Sequence, residues 1–95
     1  MYARVTPYKM KAGTKDTATT LMQSAKENIL SLPGMVQFIN VMSDDGSGYV
    51  VALSTNAETP PETQEKIQSI WSAFSDILES PPTPGNFEVI ADWKP

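Results

Sequence analysis

Apolar residues recur at two different periods along the chain, and the switches between them mark six elements. Tyr2 to Met10 alternates, with Tyr2, Arg4, Thr6, Tyr8 and Met10 on one side and Ala3, Val5, Pro7 and Lys9 on the other, as a strand requires. After Gly13 the period lengthens. Ala18, Leu21, Met22, Ala25, Ile29 and Leu32 recur three and four apart, predicting a helix from about Lys15 to Ser31 that Pro33 and Gly34 end. Met35 to Met42 is apolar at both parities and predicts a strand covered on both faces. Asp45-Gly46 is a hairpin signal because both residues tolerate positive φ, and Tyr49 to Thr55 is the returning strand.

A second helix opens at Thr59-Pro60-Pro61-Glu62, where Thr59 is placed to cap the first turn and Glu62 to reach back to it. Its apolar stripe is Ile67, Ile70, Trp71, Phe74, Ile77 and Leu78. Pro81, Pro82, Pro84 and Gly85 turn the chain into a last strand, Phe87 to Trp93. The order strand, helix, strand, strand, helix, strand is the split βαβ arrangement. It predicts an α+β, ferredoxin-like domain with both helices on one face of a four-stranded antiparallel sheet, strands in the spatial order fourth, first, third, second. The other face is expected to carry Arg4, Thr6 and Tyr8 with several large apolar residues. Such a face does not stand bare in water, so a homodimer is expected to cover it.

Composition narrows the function. The 95 residues form one domain, and at that length roughly 65% of the unfolded surface is buried on folding, enough for a single core. There is no Cys and no His, which removes thiolate nucleophiles, imidazole bases, zinc clusters and disulfides. A net charge of -4 opposes nucleic-acid binding. The N-terminal segment alternates like a strand instead of carrying a secretory signal, and no apolar run approaches the ~20 residues that span a bilayer. With no Cys to form disulfides, a cytoplasmic location is expected, without a membrane partner. Asp44 and Asp45 lack the ligand spacing of a calcium loop, so no metal site is expected. Gly46-Ser47-Gly48 is no nucleophile elbow, and no phosphate-binding glycine loop appears.

The Leu32-Pro33-Gly34 helix exit, the strand Met35 to Met42, the hairpin at Asp45-Gly46 and the Trp71 and Phe74 pair resemble the antibiotic-biosynthesis monooxygenase family, part of the dimeric α+β barrel superfamily. The resemblance implies two open sheet faces meeting in a barrel, a cavity between sheet and helices in each subunit, and no cofactor. The activity it implies is cofactor-independent oxygenation of an aromatic or polyketide-like substrate that itself activates oxygen. The alternative is a non-catalytic dimeric ligand-binding or interaction module. The family's haem-degrading branch uses a first-strand Asn, a second-helix Trp and a His. Trp71 matches, but the first strand offers Thr6 and Tyr8, and no His exists to ligate iron.

No catalytic residue is singled out. The candidate ligand-binding residues are Arg4 and Tyr8 for polar contacts, Phe38 and Trp71 as walls, and Asn40 for orientation. Each has a structural reading beside the functional one. Trp71 lies on a core stripe, and Arg4 is placed to pair with Glu88 or Asp92 across the first and last strands. If it points into the cavity without a partner, its planar fork suits a carboxylate or enolate oxygen. The cavity's filling by Trp71, Phe74, Phe38 and Met42 separates ligand site from plain module.

Overall fold

A computed structural model describes the whole chain, Met1 to Pro95. The strands are β1 (Tyr2–Lys9), β2 (Met35–Met42), β3 (Ser47–Ser54) and β4 (Gly85–Glu88), and the helices are α1 (Lys15–Leu30) and α2 (Pro61–Ser72). All pairings are antiparallel and the sheet order is β2-β3-β1-β4, as the split βαβ pattern predicts. No helix is long and apolar enough to cross a membrane.

The parity of β1 is the reverse of the expected one. Thr6, Tyr8 and Met10 are buried on the helix side, where Tyr8 and Met10 join Ala18, Val50 and Phe74 in the core. Ala3, Val5 and Pro7 take the open face. The cause is size. Tyr8 and Met10 bury more apolar surface against the helices than the small residues of the other parity, and the Tyr8 hydroxyl finds acceptors inside. Register then places Ile39, Val51 and Val5 in one row of the open face, with Val41, Tyr49 and Pro7 in the next. Ile39, Val41, Tyr49 and Phe87 are exposed large apolar residues.

Three element ends differ from the pattern. Thr59 makes no cap, because Pro60 occupies the cap position and Pro61 the first helical one; Gln64 Nε2 instead donates to the Thr59 carbonyl at 2.9 Å. The helix α2 stops at Ser72 although its apolar stripe continues. Beyond it the amides of Ala73, Phe74, Ser75 and Ile77 bond three residues back, tightening the chain into turns. Those turns carry Ile77 and Leu78 to the end of β1, where Leu78 bridges Met10, Lys11 N donates to Ile77 O at 2.7 Å and Glu79 N to Lys9 O at 2.9 Å. Finally, β4 ends at Glu88 because its partner runs out: Glu88 pairs with Tyr2, the first residue of β1. Ile90 and Trp93 are left 96% and 89% exposed.

The β2–β3 hairpin depends on Gly46, whose φ of +94° and whose contact with the Met10 carbonyl leave no room for a Cβ. Asp45 organises the rest of the turn, accepting from the Ser43 hydroxyl and from the Ser47 amide at 2.9 Å. The Ser43 bond first, then the Ser47 amide, hold the Asp45 carboxyl down at about 2. Its folded value lies below the ~3.9 of an unfolded Asp, so the contribution is complete above that pH and is lost as pH falls through about 2. The melting temperature of Asp45→Asn is therefore expected to lie below that of the wild type at about pH 5 and to converge on it near pH 2. A gap that stays constant across that range refutes the turn's charge dependence.

Candidate functional site

The helix-facing residues of β3 are Gly48, Val50, Ala52 and Ser54, and two of them are too small to fill the space beneath the helices. Each small residue lies between two larger ones on β1 and β2. Gly48 separates Tyr8 from Met42, and Ala52 separates Arg4 from Phe38. These two gaps have different fates.

At Gly48 the gap is filled. Tyr8 crosses over it, and a Cβ there would collide with the Tyr8 hydroxyl. That hydroxyl donates to Asn40 Oδ1 at 2.7 Å, with the Val41 carbonyl at 3.1 Å as a second acceptor. Asn40 Nδ2 is thereby turned toward Met22, with only the Sδ at 3.9 Å as its acceptor. Burial pushes the Tyr8 phenol above its ordinary value, opposed by the bond to Asn40, so it is a neutral donor at pH 7. Tilted ring contacts link Tyr8 to Trp71 at 5.8 Å and Trp71 to Phe74 at 6.0 Å, which holds the indole in place.

At Ala52 the gap stays open. Thr6, Ala52 and Arg4 on β1 and β3 line a recess together with Phe38 and Met35 of β2, Met22 of α1, and Ile67 and Trp71 of α2. The clear volume is about 60 Å³, room for about four to six waters at 10–15 Å³ each. A flat ligand enters only if a wall yields, and Met22 and Met35 are the unbranched, flexible members able to do so. Arg4 is the recess's one charged residue. It sits opposite Asn86 in β4, not opposite Glu88, and Asp92 lies beyond the strand. The cross-strand ion pair expected from the sequence is thus absent; the chain's one ion pair joins Lys15 to Asp44.

Of the five candidate residues, Arg4, Phe38 and Trp71 share the recess, whereas Tyr8 and Asn40 engage each other beside it. Thr6, Met22, Met35 and Gly48 are the participants that sequence reasoning missed. Gly48 and Ala52, four apart on the same parity of Gly48-Tyr49-Val50-Val51-Ala52, were the available signal for the gaps. No group of three acidic, His or Cys side chains gathers to hold a metal.

No family model and no curated protein matches the chain. Solved structures do. A Bordetella bronchiseptica protein assigned to the antibiotic biosynthesis monooxygenases superposes with a TM-score of 0.79 at 9% identity, over 95% of this chain and 97% of that one. A Nitrosomonas europaea protein with the same assignment gives 0.75 at 12%, over 94% and 89%. The fold is that of the antibiotic biosynthesis monooxygenases. A mutant of MhuD, solved with two manganese protoporphyrin IX groups per active site, also superposes, at a TM-score of 0.67 and 13% identity over the full length of both chains.

Within this fold the Tyr8 hydroxyl links β1 to β2 across β3, through Asn40 and the Val41 carbonyl. Removing the hydroxyl in Tyr8→Phe leaves Asn40 Oδ1 without its donor and is expected to cost about 1–2 kcal/mol in urea denaturation. The Asn40 side-chain amide resonances should move in the same variant. Unchanged stability with unchanged Asn40 signals overturns the assignment.

Proposed function

We propose that the protein binds a flat aromatic small molecule in the recess beneath α1 and α2 and acts on it as a cofactor-independent monooxygenase. The observation that carries this reading is an apolar recess with a single charged lining residue, Arg4, that no protein group neutralises. Phe38 and Trp71 supply faces on which a ring stacks. In the chemistry proposed, a phenol plus O2 gives a quinone plus water, with the electrons coming from the ionised substrate. The chain's part is to orient that substrate, stabilise its negative charge through Arg4 and keep water away.

Haem does not fit. No imidazole or thiolate is available to ligate iron, the Tyr8 phenol is committed to Asn40 and the Val41 carbonyl, and Tyr2 lines the adjoining groove instead of the recess. A non-catalytic ligand-binding module is the second reading, favoured by the small clear volume and by the lack of any Asp, Glu or His in the recess to take up a proton. Oxygen uptake separates the two. At about pH 9–10, where electron-rich naphthols and anthrones are substantially ionised, the wild type is expected to exceed the spontaneous rate, and Arg4→Gln to lose at least about tenfold of that excess. Binding of these phenols without faster uptake refutes the oxygenase and leaves the module.

The reading includes a homodimer formed through the open sheet face, in a cytoplasmic protein. One chain exposes 6411 Å², whereas a 10.4 kDa monomer ordinarily exposes about 5,400 Å². The excess of about 1,000 Å² is of the size that one partner contributes to a standard interface. The exposed residues Ile39, Val41, Tyr49 and Phe87 lie together on that face, and Ile90 and Trp93 extend beyond its edge. Sedimentation is expected to show a dimer at micromolar concentration. Placing a charge at the centre of the face, in Val51→Lys, should shift it to monomer. A wild-type monomer at that concentration sinks the dimer.

A further inference from the structure

Arg4 is the chain's only arginine, and it lies where two depressions meet. On one side is the apolar recess. On the other is a more polar groove that Tyr2, Ser54, Asn56 and Asn86 help to line. The guanidinium makes no ion pair, and burial alone lowers its pKa, with no charged or hydrogen-bonding neighbour contributing. It remains cationic at neutral pH, because a guanidinium does not lose its proton in the physiological range. The groove's single acid, Glu58, stands beyond ion-pair distance. A partner subunit across the open face cannot supply the counter-ion either, because Arg4 lies on the opposite, helix-covered face.

A half-buried cation without a partner has given up solvation and regained nothing. An anion seated against it restores the loss, and a planar, delocalised one matches its fork in two parallel hydrogen bonds. The recess also lacks Asp, Glu, His and Lys, so no side chain in it removes a proton from the ligand. The ligand's negative charge must therefore be present before it binds.

We infer that the recess selects planar aromatic anions already ionised in solution, an aryl carboxylate or the enolate of an acidic enol, with the ring against Phe38 and Trp71 and the oxygens on Arg4 where recess meets groove. This inference rests on the recess reading and adds the charge of the ligand to it. Aliphatic anions lack the ring and neutral phenols lack the charge, so both are disfavoured.

The test titrates isotopically labelled protein at neutral pH with 2-naphthoate and with its neutral isostere 2-naphthamide, followed by NMR. The single arginine gives one Nε–H resonance and Trp71 an indole N–H resonance, which report the two ends of the site separately. Naphthoate is expected to bind at least about tenfold more tightly than naphthamide and to shift both signals, the amide shifting the indole alone. In Arg4→Gln the preference should fall to within about twofold, with naphthamide affinity kept, while Arg4→Lys retains part of it as a point charge. If Arg4→Gln does not fold, the Arg4 resonance of the wild type and the Arg4→Lys variant decide. Equal affinity for the two probes in the wild type, or a preference that survives in Arg4→Gln, overturns the inference while leaving the recess as a binding site. Failure of both probes to bind overturns the recess reading and this inference together.

Discussion

A four-stranded sheet has two faces, and this chain has helices for one of them. Only 10 of its 95 residues are buried, so the core is a thin layer between the sheet and α1 and α2, anchored by Phe74 at 2% exposure and by Met10. A thin layer has little redundancy. Where β3 places Gly48 or Ala52 beneath the helices, no second tier of side chains can flow in, because packed interiors relax only partly around missing volume. The same shortage that leaves the open face apolar leaves a hollow on the covered one, and both functional proposals follow from it.

The architecture was largely legible in the sequence because alternation and three-four spacing report local geometry directly. The six elements, their antiparallel order and the hairpin at Asp45-Gly46 follow from those periods and from the handedness of crossovers. The failures share a different cause. Alternation in β1 separates Arg4, Thr6 and Tyr8 from Ala3, Val5 and Pro7, yet carries no label for the inner side; the volume of Tyr8 and Met10 decided that, and volume matters only against a packed partner. Likewise the stripe through Ile77 and Leu78 marks residues that are partly buried against the core, but they reach it through turns and a bridge to Met10. The overlong expectation for β4 arose because pattern describes a strand and says nothing of the length of its neighbour.

The candidate site was half legible for the same reason. Arg4, Phe38 and Trp71 could be picked out by residue type, and they do converge on one hollow. Tyr8 and Asn40 were picked out by the same criterion, and the structure joins them to each other instead. The difference lies in cross-strand register, since Gly48 brings Tyr8 within reach of Asn40 whereas Ala52 separates Arg4 from Phe38 without bridging them.

That contrast also explains what kind of chemistry the hollow is suited to. A tyrosine over a glycine completes its own hydrogen bonds and becomes structure. An arginine between an alanine and an asparagine, bonded to neither, keeps its charge and its donors unspent. A hollow that supplies charge but no base would leave the ionisation of any ligand to the solvent, favouring molecules whose acidity already suits the surrounding pH. Stabilisation by a fixed cation acts on whatever charge the bound species carries, and it gains strength as water is excluded. Flexible Met22 and Met35 in the lining of the hollow fit that requirement, because side chains that part to admit a ring can pack against it and exclude the solvent that would otherwise screen Arg4.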